Sequence, residues 1–221
     1  MNAETVARHL VMAGRLLDED PETAYQHAAA AAKRAGRVGA VREAAGLTAY
    51  RSGRYAQALS ELRAARRITG DHSALPVMAD CERGLGRPER ALEVAASPEV
   101  QNLDAAARVE MLIVASGARR DLGQLDAAVL ALQGPALRPN LRKPWSARLF
   151  YAYADALEAA DRVDEATTWF GHAAEADTEQ ETDADVRLAE LAGVRFLDGD
   201  DDEDPAHDNS DPSQPGDQTS G

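Results

Sequence analysis

The chain holds one cysteine, Cys81, in 221 residues. It can form no intramolecular disulfide and can build no cysteine-based metal site. Aromatic residues make up only 5%, and lysine is nearly absent, since arginine supplies 22 of the 24 cations. No window offers the roughly 18 uninterrupted apolar residues of a membrane-spanning helix. Residues 1–17 lack the basic leader, apolar run and cleavage site of a secretory signal. These absences lead to the expectation of a soluble cytoplasmic protein.

The net charge of −14 is unevenly spread. Residues 198–221 carry nine acids and no Lys or Arg, which leaves 24 basic and 29 acidic groups in residues 1–197. Phosphate contacts need clustered cations, so a mildly acidic body with an acidic tail excludes nucleic acid as an expected partner. It suits an anionic membrane surface no better.

What the chain has in quantity is alanine, 46 residues of it. Alanine is the best helix former and buries little area. A core made from it needs helices that approach closely, which argues for an all-α fold and against a β-sandwich or barrel.

A short phrase recurs along the chain: a turn residue, a polar residue, an apolar residue or proline, two residues, then alanine. It reads Gly53-Arg54-Tyr55-Ala56-Gln57-Ala58 and Gly86-Arg87-Pro88-Glu89-Arg90-Ala91. It returns as Gly123-Gln124-Leu125-Asp126-Ala127-Ala128 and Asp161-Arg162-Val163-Asp164-Glu165-Ala166, with a weaker copy at Glu19-Asp20-Pro21-Glu22-Thr23-Ala24. The alanines Ala24, Ala58, Ala91, Ala128 and Ala166 are 34, 33, 37 and 38 residues apart. The logic is that of a helix hairpin. Glycine closes the first helix in a left-handed conformation, and the alanine sits where the partner helix comes too near for a larger side chain. Twelve residues before it stands a second small residue, Gly46, Ala79, Ser116 or Ala154. Four residues after it comes a bulkier one in three copies, Leu62, Leu132 and Phe170.

On these residues the sequence resembles the tetratricopeptide repeat (TPR) family, in its alanine- and arginine-rich actinobacterial type. The resemblance covers residues 1–180 and is clearest at 42–70 and 146–178. The family's aromatic near each repeat start is replaced by Arg42, Leu75 and Leu112 and kept at Phe150, and the terminal proline is mostly missing. The longer third and fourth spacings place insertions at 133–143. The expected fold is a TPR-like α-solenoid of about five helix hairpins, at 2–17/21–35, 38–52/55–68, 73–84/87–97, 103–121/125–133 and 144–160/163–177. A C-terminal capping helix is expected at 181–196, carrying Leu188, Leu191 and Ala192 on one face. Residues 1–197 form the repeat domain with its cap. Residues 198–221 contain no aromatic, Ile, Leu or Val, and are expected to be an acidic disordered tail.

Motifs for chemistry are few. His9, His27, His72, His172 and His207 show no metal-ligand spacing and read as surface or half-packed residues. Gly84-Leu85-Gly86 follows a helix rather than a strand and lacks a third glycine, so it reads as a hairpin turn. The run 198–204 has Glu203 and Asn209 where a calcium loop needs glycine and glutamate, which leaves it a solvated tail. Arg63, Arg66 and Arg67, like Arg83, Arg87 and Arg90, share helix faces and read as solvated arginines laced with acids. Neither a cofactor nor a reaction is expected.

The resemblance implies a superhelix whose first helices line a concave groove. Carried over by position, the partner-binding residues are Tyr50, Arg51, Asp80, Arg83, Ile113, Arg120, Tyr151, Asp155 and Glu158. The chaperone-binding form of the family grips a terminal carboxylate with Lys and Asn. Here the matching places hold residues such as Glu43, Leu47, Val77 and Tyr151, which argues against such a clamp. The expected function is a protein-binding scaffold or adaptor that takes a peptide or helix bearing both signs of charge. The alternative is a regulatory sensor module that binds a peptide signal for a separate effector. The oligomeric state is left open. Trp145, beside the basic, proline-rich stretch 138–144, is a further candidate contact.

Overall fold

The computed structural model describes residues 3–191 and Gly193, and every regular element among them is helical. Five antiparallel hairpins follow one another: α1 (Ala3–Leu16) with α2 (Pro21–Ala35), α3 (Gly39–Arg51) with α4 (Tyr55–Thr69), α5 (Leu75–Gly84) with α6 (Pro88–Ala95), α7 (Ala105–Asp121) with α8 (Leu125–Leu132), and α9 (Ser146–Ala159) with α10 (Val163–Ala176). A last helix, α11 (Ala184–Leu191), packs on α10 as the expected cap. The boundaries of the ten hairpin helices agree with the sequence reading to within about one helical turn; the cap begins at Ala184 rather than 181, and its expected end at 196 lies outside the described residues. Ala192, His207 and the acidic tail at 198–221 lie outside the described residues.

The recurring phrase is a backbone motif. In four hairpins its first residue has a left-handed φ: 73° at Gly53, 69° at Gly86, 72° at Gly123 and 61° at Asp161. Each time two amides fold back onto the helix that is ending. Gly53 N–H donates to Tyr50 O at 2.9 Å and Arg54 N–H to Ala49 O at 2.8 Å. The same pair recurs at Gly86/Arg87, Gly123/Gln124 and Asp161/Arg162. These are Schellman closures, which satisfy carbonyls that the helix end leaves unpaired. The first hairpin turns differently, which accounts for its weaker phrase. Asp20 caps α2 by accepting from Thr23 N–H at 3.0 Å, and Pro21 opens the helix where no amide is needed.

The small positions of the repeat are buried, Ala79, Ser116 and Ala154 on the first helices among them. Ala24, Ala58, Ala91, Ala128 and Ala166 are all fully buried. A methyl group on Gly46 would lie 2.6 Å from Leu62 Cδ2, one turn beyond Ala58 on α4, so α3 and α4 need glycine there. Opposite Ala128, the Ser116 hydroxyl donates to the Ala128 carbonyl at 2.9 Å, which satisfies the one polar group that this close packing buries. The bulky positions Leu62, Leu132 and Phe170 are buried as well.

The core changes character along the solenoid. The first hairpin and α3 bury mostly alanine and valine. The last hairpin buries Phe150, Tyr153 and Phe170, with Trp169 edge-on to Phe150 at 5.5 Å and to Tyr153 at 4.9 Å. Trp145 is half-buried and packs against this cluster. The insertion expected at 133–143 is an irregular segment between α8 and α9. The longer third spacing has a separate cause: a 3-10 helix at Pro98–Asn102 stands between α6 and α7, where the sequence reading placed only a short link.

Candidate partner-binding groove

The first helices of successive hairpins pack side by side, α5 on α7 and α7 on α9. Together with α3 they wall a cleft of about 750 Å³. Arg51, Arg83, Ile113, Arg120, Tyr151 and Asp155 line it, joined by Arg148, by Asp18 from the α1–α2 turn and by Glu181 from the loop before α11. Ile113, Tyr151 and Ala152 give the cleft an apolar stretch, and its charged lining comprises four arginines and three acids. Asp80 lines an adjoining cleft of about 530 Å³ with Arg83 and Asp121. The structure thus brings seven of the nine sequence-selected residues onto one concave strip. Tyr50 stands behind it, and Glu158 is engaged at its C-terminal end.

The side chains of this strip are tied to one another across the repeats. Tyr50 Oη donates to Asp80 Oδ2 at 2.6 Å. Arg83 Nη1 reaches Asp80 Oδ1 at 2.8 Å, while its Nε and Nη2 hold both oxygens of Asp121 at 2.8 and 3.3 Å. Gly117 makes room for this arginine, since a methyl there would stand 2.6 Å from its guanidinium carbon. Arg51 pairs with Asp18, Arg120 with Asp155, and Arg187 of α11 with Glu158. These pairs join the first hairpin to the second, the fourth to the fifth and the fifth to its cap, Arg83–Asp121 joins the third to the fourth, and Tyr50–Asp80 supplies the step between the second and third.

Burial, reinforced by the hydrogen bond to Asp80, pushes the Tyr50 phenol far above its ordinary range, so it stays a donor. Burial, reinforced by Asp183, pushes Tyr151 up to about 12. Desolvation works against the Arg83 charge, but Asp121 and Asp80 more than offset it. The ion pairs are one-quarter to one-half exposed, except for Asp18, which is more open still. Such pairs contribute roughly 0–1 kcal/mol each, with geometry their main effect. They fix where the cations stand and leave them partly open to water.

Of the six arginines read from sequence as solvated and laced with acids, Arg83 lies in the groove, three others are paired with acids, and Arg67 and Arg90 form no ion pair among the described residues. Arg63 donates to the buried Glu82 at 2.7 Å, Arg87 approaches its other oxygen at 3.5 Å, and Arg66 pairs with Glu99 at 2.8 Å. Arg42 stands in a family aromatic position and ties hairpins together instead, donating to Gly36 O at 2.8 Å and to Glu61 at 2.6 Å. Cys81 is buried, and burial with Asp80 and Glu82 beside it pushes the thiol up to about 12, which makes it unreactive. Spacing did not reveal that His9 and His27 face each other across α1 and α2, Nδ1 to Nδ1 at 2.9 Å. They share a hydrogen bond. Among the described residues no group of three His, Cys, Asp or Glu gathers as metal ligands would.

No protein-family model matches the chain, and no curated protein sequence matches it. Among solved structures, the chain is similar to a thermophilic TPR protein of Thermus thermophilus, with a TM-score of 0.66. The match covers 86% of this chain and all of that one at 20% sequence identity. At that identity the likeness establishes the fold, a TPR-like α-solenoid of five hairpins with a C-terminal capping helix.

Proposed function

We propose that the chain is a non-catalytic scaffold that holds a peptide or helix of another protein in its concave groove. The observation that carries this reading is the strip formed by α3, α5, α7 and α9, where Ile113, Tyr151 and Ala152 lie between Arg–carboxylate pairs. An apolar stretch supplies buried area to a partner, and flanking charges of fixed position supply orientation. Because each arginine already has an acid, a purely acidic ligand must displace Asp80, Asp121 or Asp155, whereas a segment with interspersed bases meets those acids directly. The scaffold unit is residues 1–197, with 198–221 an acidic appendage to it. The abundance of alanine and arginine supports kinship with actinobacterial members of the fold. A buried, unpaired cysteine suits the cytoplasm.

The test is affinity capture of a partner, followed by Tyr151→Ala and Ile113→Ser in the purified pair. Each is expected to weaken binding about tenfold or more, as truncation of a central anchor does. Circular dichroism should be unchanged, and Arg67→Ala, on the outer face, should leave affinity intact. Equal losses for all three variants would remove the groove from the account.

A further inference from the structure

The outer face carries a second cleft that the groove reading leaves unused. Its floor is α7 and its walls are α6 and α8. These two walls are only eight residues long, against 14 or 15 for the other second helices α2, α4 and α10, while α7 between them runs 17. The outer layer is thus too short to cover the helix beneath. The opening measures about 630 Å³ and is bounded by Leu92, Ala95, Val100, Met111, Leu112 and Ala131. Leu112 remains 38% exposed, although it stands at the repeat position the family fills with a packed aromatic.

The charge in this cleft is of one sign. Arg108 and Arg119 line it, and no acid does. With Leu112 and Ala115 they stand at i, i+4, i+7 and i+11 of α7, which is a single helical face. The two guanidinium groups flank the apolar middle, and their α-carbons lie about 16 Å apart at 1.5 Å per residue. The concave arginines Arg51, Arg83 and Arg120 all hold carboxylates, whereas among the described residues no acid lies within ion-pair distance of Arg108 or Arg119. Arg119 Nε is buried without a hydrogen-bond partner, and an N–H left in that state is costly.

We infer that this cleft is a second protein-docking site, for an amphipathic segment with large apolar side chains at its centre and a carboxylate near each end. The carboxylates meet Arg108 and Arg119 in charge-assisted hydrogen bonds. The apolar centre covers Leu112, Leu92 and Val100 and completes the outer layer that short α6 and α8 leave open. A scaffold with a site on each face joins two partners, where the groove alone holds one.

The probe is a fluorescein-labelled 16-residue synthetic helix with Glu at positions 3 and 14 and Leu at positions 7 and 10, set against the same peptide with Lys for Glu. Fluorescence anisotropy with the full chain should show the Glu peptide binding at least tenfold tighter than the Lys peptide. The double variant Arg108→Glu with Arg119→Glu should reverse that order, and Leu112→Ser should weaken both peptides. Tyr151→Ala in the groove should change neither. Leu112 and Arg108 are exposed, so Leu112→Ser and the single variant Arg108→Glu, which alone should narrow the preference for the Glu peptide, keep the helical circular dichroism, and the fold of the double variant is checked the same way. Equal affinity for the two peptides, an order that survives the charge reversal, or binding lost with Tyr151→Ala would each overturn the inference. So would a wild-type dimer that Leu112→Ser converts to monomer in sedimentation, since the cleft would then be covered by a second copy.

Discussion

Asp161 occupies the left-handed region at φ 61°, where the equivalent residues of three other hairpins are glycine. A side chain in that conformation costs about 1 kcal/mol, less for Asp than for most residues. Asp161→Gly should therefore raise stability by roughly 0.5–1 kcal/mol, read as a higher midpoint in urea unfolding. No change or a loss would mean that the Asp side chain has an offsetting role in the turn. Ala58 gives the opposite case. It is fully buried in the core, so Ala58→Leu should overpack the hairpin and cost about 1–3 kcal/mol. At this scale the sequence is legible because turn and small position are local: six consecutive residues carry the Schellman closure and the alanine it positions. His9 and His27 were illegible for the converse reason. They stand 18 residues apart on two helices, and only the rotation of α1 against α2 brings their rings together.

Among the elements, several helix starts and turns lean on ionised carboxylates. Asp20 accepts from Thr23, Asp71 from Ser73, and Asp177 from the amides of Glu181 and Thr182. For Asp20 and Asp71 hydrogen bonding holds the carboxyl below its ordinary range, and for Asp177 hydrogen bonding outweighs an opposing desolvation. A depressed folded value contributes stability that is present above the unfolded carboxylate value, near pH 4, and is lost as pH falls through the folded one. The melting midpoint should accordingly hold between pH 7 and 5 and decline below about pH 4. The variant carrying both Asp20→Asn and Asp177→Asn should lose part of that acid sensitivity. A midpoint that stays level to pH 3 would show that these caps do not couple to global unfolding. Helix positions were legible because caps, prolines and apolar spacing are written within each helix. The cleft over α7 was not, since its shape depends on the shortness of α6 and α8 and on a 3-10 turn between them. Leu112 could have given a signal, being an apolar residue where the family packs an aromatic, between two arginines of the same face.

As a whole the molecule is a chain of neighbour contacts. Each hairpin packs on the next, and the Arg–carboxylate pairs, with Tyr50–Asp80, repeat that connectivity on the concave side. A solenoid of this kind is stabilised repeat by repeat and needs its ends covered. Deleting residues 184–221 uncovers Phe170 and the aromatic cluster, so the melting midpoint should fall by several degrees and the last hairpin should fray first in hydrogen exchange. The helix hairpins could be read from spacing, and the solenoid from the family resemblance that the spacing carries. The groove residues came by analogy of position, and the structure adds what position could not supply, that their arginines are already engaged by acids of the neighbouring hairpin. The concave strip is proposed as the place where a partner is held. Site-specific photo-cross-linking in the cells that make the protein tests it most directly, with p-benzoylphenylalanine placed at Tyr151 in one sample and at Arg67, on the outer face, in another. A discrete adduct of one recurring partner is expected from position 151 and none from position 67. An adduct from position 67 with none from position 151 would contradict the proposal.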